Sequence, residues 1–285
     1  MTEFPIRPST PRNDMKRHWK KIVIALTALV VLVIGASFLY AKVFNKADPA
    51  FGQSDVEKKL ADAASTTIAL AGIAPTPGLG TTVGSGPVAP DDTSAGQPTT
   101  TTEGASQGAV SGTADGTWTI KEGSEVGYRV KESINGFDTT ANGRTHAITG
   151  SMIASGATIT EGQFIVDMTT FTSDESRRDA QFNGRVMAVD TFPTSTFVLT
   201  QPLDFGTVPP DGGTLTATAT GDLTLHGTTT TVTFDVQGTF KNGLVGVLGQ
   251  IPVVFADFGI PAPSLGTVKT EDNGLLEFVL VLERT

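Results

Sequence analysis

The last 171 residues of the chain, from Asp115 to Thr285, predict an all-β domain: an antiparallel barrel or sandwich of about eight strands with a short helical cap. One apolar run well upstream predicts a single transmembrane helix before it. Three observations carry this reading. From Gly213 to Phe240, Leu215, Ala217, Ala219, Leu223 and Leu225 alternate with polar residues, and the alternation resumes through Val232, Phe234 and Val236. A period of two over that length is a β-strand signature, and His226-Gly227 punctuates it as a tight hairpin. Further runs of this kind recur between glycine-rich connections, and no strand-helix-strand crossover pattern appears.

Taken in order, residues 1–21 form a polar tail carrying six Lys or Arg against Glu3 and Asp14. Residues 22–41, IVIALTALVVLVIGASFLYA, are uncharged. Twenty helical residues rise about 30 Å, the thickness of a bilayer's hydrocarbon core. Trp19 and Tyr40 lie near the two ends of this run, where amphipathic rings are favoured. More basic charge precedes the run than follows it at Lys42 and Lys46, which predicts a single-pass plasma-membrane protein with a cytoplasmic amino terminus and an extracytoplasmic carboxy-terminal domain. The competing reading is a cleaved export signal, against which stand the length of the run and the bulky Leu39.

Residues 42–114 read as an extracytoplasmic stem and linker. KKLADAA favours helix weakly, whereas the stretch from about Thr66 to Ala114 is rich in Gly, Pro, Ser and Thr and has no aromatic residue. Such a segment cannot bury enough apolar surface to offset its backbone entropy. Aromatics return at Trp118. Strands are expected at 116–120, 125–131, 144–153, 162–171, 196–205, 214–225 and 230–240, with an interrupted strand in 244–258 and a last one at 275–283. One short helix is expected over DESRRDAQF, 174–182, capped by Ser173 or Asp174.

Several strands are apolar on both faces. In LLEFVLVLE, Leu276, Phe278, Leu280 and Leu282 share one face while Val279 and Val281 share the other, and Phe164, Val166 and Met168 oppose Ile165. A half-exposed sheet would alternate more cleanly. Either the core is filled and an outer element covers the second face, or the barrel encloses an apolar cavity, as eight strands allow.

Composition narrows the chemistry. There is no cysteine, which excludes disulfides, thiolate chemistry and a lipid-modified cysteine anchor. From Asp115 onward there are ten basic and twenty acidic residues, a charge that repels nucleic acid. His146 and His226 are the only histidines of that domain and belong to no spaced metal motif, so no metal site is expected. No G-x-S-x-G elbow, dinucleotide fingerprint or phosphate loop is present, and no catalytic residues are assigned. The strongest polar candidates are Arg177, Arg178 and Asp179, which a cap could place at a barrel mouth, with Asp179 fixing a guanidinium. The alternative role for this cluster is to tie the cap to the sheet. Asp222 and His226 are read as structural groups of the hairpin, and Trp118 and Tyr128 as buried rings of the first strands.

These pieces occur in a specific order: GTWTIKEGSEVGYRV at 116–130, SRRDAQF at 176–182, FPTSTFVL at 192–199, GDLTLHGTTTTVTFDV at 221–236 and FADFGIPAP at 255–263. Together they resemble the YceI-like family, also described as polyisoprenoid-binding or lipid-binding domains. The resemblance spans residues 115–285 and neither the apolar run nor the linker. It implies a lipocalin-like barrel whose apolar interior accepts a long isoprenoid or related lipid, with Arg177, Arg178 and Asp179 near an entrance. Trp118, Tyr128, Phe164, Phe192, Phe197, Leu225, Phe234, Phe258 and Phe278 fit its apolar framework or lining. Where the family often carries a His-Ser pair, this chain reads Gly123-Ser124.

The expected function is therefore membrane-tethered, extracytoplasmic binding of a long amphiphilic lipid, polyisoprenoid-like, in a barrel cavity. Its expected partners are the membrane, through one helix, and that lipid, with no other cofactor and no nucleic acid. The alternative is a cell-envelope interaction or structural module with a filled core.

Overall fold

The computed structural model describes residues 13–39, 47–71, 114–261, 263–264 and 266–285, with side chains described for 21–36 and 47–65 of the first two segments. Two helices come first, α1 (Asn13–Leu39) and α2 (Gln53–Ala71). The strands are β1 (Gly116–Ile120), β2 (Glu125–Ile134), β3 (Phe137–Thr145), β4 (Ile148–Ser155) and β5 (Thr158–Asp167), followed by the cap helix α3 (Ser176–Gln181). Then come β6 (Thr194–Leu199), β7 (Leu203–Asp204), β8 (Thr214–Leu225), β9 (Thr228–Lys241), β10 (Leu244–Val254), β11 (Val268–Thr270) and β12 (Asn273–Arg284).

All pairings are antiparallel, in the order β1-β4-β5-β6-β8-β9-β10-β12, and β1 pairs with β12 to close the barrel. β2 pairs with the first half of β12 and β1 with the second, so β1 and β2 together occupy one bent stave. β3 and β4 lie beyond them as a second bent stave, broken at His146-Ala147. This gives an eight-stave barrel with a helical cap, as the alternation predicts. Two strands escape the sequence pattern. FDTTANGRT, which forms β3, offers only Phe137 and Ala141 as apolar residues, and β11 is three residues long.

The hairpin between β8 and β9 turns on His226 and Gly227, with φ of 51° and 75°. Two consecutive left-handed residues make the two-residue turn whose twist matches antiparallel strands. Both explanations for strands apolar on two faces apply at once. Leu276, Phe278 and Leu280 line an interior chamber, while Val279 and Val281 point outward and are fully buried under α2.

α2 lays Val56, Leu60 and Ala63 on that outer strip, preceded by Phe51, and Gly246 of β10 leaves the space that Val56 and Leu60 fill. A polar layer borders the contact. Lys59 Nζ donates to Glu125 Oε2 and to the Gly123 carbonyl, each at 2.8 Å. Glu277 is fully buried beneath Phe51, whose N–H donates to its Oε2 at 3.3 Å, with Arg144 at 3.4 Å and Arg129 at 3.7 Å.

The transmembrane expectation is corrected. Among the described residues, no helix is long and apolar enough to cross a membrane. Within α1 the described side chains run over 21–36. Their large apolar members, from Ile22 to Ile34, are exposed. The membrane partner, the signal anchor and the single-pass plasma-membrane topology with a cytoplasmic amino terminus fall with that helix. The expectations for the first twelve residues, for the linker over 72–113 and for Tyr40 lie outside the described residues, and the side chain of Trp19 does too.

Candidate functional site

The barrel interior is organised by residues that point inward along each stave. On β12 these run Leu280, Phe278, Leu276 and then Gly274; on β2 they run Val126, Tyr128, Val130 and Glu132; on β10 they run Val247, Ile251 and Val253. The first members of each row surround an apolar chamber of about 190 Å³, and the last members surround a second chamber of about 120 Å³ beneath the cap. One water needs about 10–15 Å³ on this scale, so the first chamber exceeds a packing defect by an order of magnitude.

Glycines keep the first chamber open by letting aromatic rings lie close over the neighbouring strand. A Cβ added at Gly150 would stand 2.9 Å from the Phe164 ring, one at Gly221 2.4 Å from Phe197, and one at Gly249 2.4 Å from Phe278. Gly150 pairs directly with Phe164 and Gly249 with Phe278 in the sheet register. Tyr128 uses the same device over its partner Gly143, where the added Cβ would be 2.6 Å away. A glycine inside a strand marks such a close approach, and that was the available signal for which rings face the interior.

Of the apolar candidates, Trp118, Phe164, Phe197, Phe234 and Phe278 line the first chamber. Tyr128 lines the second, and Leu225 lines both. Trp118 is held by its indole N–H, which donates to the Ala114 carbonyl at 2.8 Å. Phe192 and Phe258 lie outside both linings. Phe192 packs on the hairpin, its ring 4.7 Å from that of His226, and Phe258 is buried in the short turn after β10. Sequence reasoning did not single out Met168, Phe171 or Leu276 as special, yet with Leu225 they border both chambers.

The cap is built from Glu175, whose side chain accepts from the Arg177 N–H at 3.3 Å, and from Asp179, which accepts from the N–H and the hydroxyl of Ser173 at 2.8 and 2.6 Å. Asp179 therefore fixes the entry into α3, and the guanidinium is held by other acids. Arg178 lines the second chamber and pairs with Asp174 and, at 3.6 Å, with Glu132 of β2. Arg177 is exposed. After α3 the chain continues through Phe182, whose ring stacks on Tyr128 at 4.7 Å and 8°, with Phe171 at 5.2 Å from Phe182. Burial pushes the Tyr128 hydroxyl well above its ordinary range, a shift that nearby Arg178 opposes. The phenol is a neutral wall group.

Asp222 accepts a hydrogen bond from the Thr231 hydroxyl of the adjacent strand at 2.6 Å. Ser124 is buried and accepts from the Val281 N–H at 2.9 Å, while the exposed His146 Nδ1 lies 2.8 Å from the Ser124 carbonyl. Both are structural contacts. Among the described residues, no group of three or more His, Cys, Asp or Glu side chains is placed to hold a metal ion.

Similar solved structures include a polyisoprenoid binding domain from Saccharophagus degradans, at 16% identity over 60% of this chain and 99% of that one, with a TM-score of 0.49. BcnA from Burkholderia cenocepacia is 22% identical over 57% and 98%, with a TM-score of 0.45. The YceI protein of Campylobacter jejuni is 12% identical over 50% and 84%, with a TM-score of 0.39. No curated protein matches the chain. The profile of the YceI-like domain matches residues 118–282. That is more than half of the 285 residues, and the chain belongs to the YceI-like domain family.

Proposed function

We propose that this domain is a binding module that takes an apolar chain into the barrel, without a membrane-crossing helix as part of the activity. The observation that carries the reading is the first chamber, about 190 Å³ of space walled by Trp118, phenylalanines and aliphatic side chains. Each CH2 moved from water into such a wall gains about 0.8 kcal/mol, so a chain of moderate length supplies the binding energy without a charged anchor. Membership of the YceI-like family supports a polyisoprenoid-like ligand in this reading. Arg178 takes the role of a polar wall group of the second chamber in this reading, and Arg177 and Asp179 shape the cap.

A membrane-tethered carrier is not retained. Beside a membrane-tethered carrier, the interaction or structural module accords better with the described residues, because it requires no such helix. A specific observation favours it as the second reading: the outer strip of β10 and β12 already serves as a docking face, for α2. Native mass spectrometry of the full chain, before and after solvent extraction, separates the two. An extractable, stoichiometric apolar molecule, or uptake of added polyprenyl alcohol, supports chamber binding. Lipid-free protein that takes up no polyprenyl alcohol overturns it in favour of the module.

A further inference from the structure

The two chambers follow one another along the barrel axis, because each inward row passes from the first into the second: Val126 to Tyr128 on β2, Phe278 to Gly274 on β12, and Ile251 to Val253 on β10. Met168, Phe171, Leu225 and Leu276 border both and form the partition between them. Its members differ in how firmly they are held. Leu225 and Leu276 sit in the ladders of β8 and β12. Phe171 is braced by the rings of Tyr128 and Phe182 at 5.9 and 5.2 Å. Met168 sits in a short turn after β5, is buried, and has an unbranched, adaptable side chain.

The chambers on either side differ in chemistry. The first is walled almost wholly by apolar groups, and the second has Arg178, Glu132, Gln181 and the Tyr128 ring on its wall. We propose that Met168 is the movable element of a length-selecting partition. A ligand whose apolar part fits the first chamber leaves Met168 in place, and a longer chain must displace it to reach the cap chamber. This rests on the reading of the barrel as an apolar-chain binder and names what sets its preferred chain length.

The test uses the full chain carrying Trp19→Phe, which leaves Trp118, a wall of the first chamber, as the sole tryptophan. Straight-chain primary alcohols of increasing length are titrated and Trp118 fluorescence is read. Affinity is expected to rise about fourfold per added CH2 while the first chamber fills, then to level off at a chain length set by the partition. Met168→Ala is expected to move that break to longer chains, and Met168→Leu to leave it near the original length. Phe171→Leu guards against a folding defect in the alanine variant, and is expected to move the break in the same direction. A break unmoved by Met168→Ala and by Phe171→Leu, or a steady rise with no break in the parent, overturns the partition while leaving apolar binding intact. Failure of the parent to bind any alcohol overturns the binding reading itself.

Discussion

The ring of Phe278 lies over Gly249 of the neighbouring strand, and a Cβ placed on that glycine would stand 2.4 Å from the ring's Cζ. The contact joins sheet register to function, because the ring forms part of the chamber wall. Gly249→Ala forces the ring to move or the strands to separate. Overpacking of this kind costs about 1–3 kcal/mol. Urea denaturation is expected to show that loss, and an alcohol probe of the chamber is expected to bind more weakly at matched folding. An alanine variant as stable as the parent would show that the ring is not confined by this contact.

Much of the barrel was legible in the sequence, and the reason is local. Leu215 to Leu225 alternates because one face meets the interior and the other meets water, and the observed strand has the bounds the alternation gives. β3 was illegible because its buried residues include Asn142 and Thr145, which carry no apolar signal. For the site, aromatic type identified Phe164, Phe197, Phe234 and Phe278, which line the chamber, but could not distinguish them from Phe192 and Phe258, which do not. That distinction depends on which strand lies beside each ring. The helix α2 was legible only as weak propensity, because its reason for docking, the outward Val279 and Val281, lies more than 200 residues away in the chain.

The β8–β9 hairpin offers a second test. Gly227 has φ of 75°, and a Cβ there would approach Phe192 Cε1 to 2.4 Å. Gly227→Ala therefore combines left-handed backbone strain with steric overlap, for an expected loss of about 2–4 kcal/mol. Phe192→Leu removes the ring atom involved, so the double variant is expected to be more stable than the sum of the two single losses predicts. Simple additivity in thermal or urea denaturation would mean that strain alone sets the cost. His226→Asn is expected to be nearly neutral, since asparagine tolerates the same φ of 51°.

Glu277 gives stability a pH signature. Burial raises its carboxyl above the ordinary carboxylate value, and Arg129, the Phe51 N–H and Arg144 oppose that shift without cancelling it. Between the unfolded and folded values the native state holds more protons than the unfolded chain, so the slope of stability with pH is negative there. The contribution is complete below the unfolded value and is lost as pH rises through the folded one. Urea midpoints measured from acid to neutral pH are expected to fall relative to those of Glu277→Gln across that window. A difference between the two proteins that is flat, or that grows in favour of the parent as pH rises, contradicts the sign.

Leu60 decides whether α2 is part of the folded unit. Its side chain is fully buried between α2 and the outer face of β10 and β12, beside Val56, Val279 and Val281. Leu60→Ala removes this packing and leaves a void against strands that cannot collapse, because their opposite face forms the chamber wall. Buried Leu→Ala changes cost about 2–5 kcal/mol. If α2 and the barrel unfold together, the variant, made in the Trp19→Phe background, shows that loss in a single urea transition, with Trp118 fluorescence and far-ultraviolet circular dichroism giving coincident curves. If α2 detaches first, helical signal is lost before the Trp118 environment changes, and the barrel midpoint stays where the parent's lies. The burial of Val56 and Leu60 against Val279 and Val281 argues for the first outcome, since detaching α2 would expose all four apolar side chains to water while the barrel stayed folded.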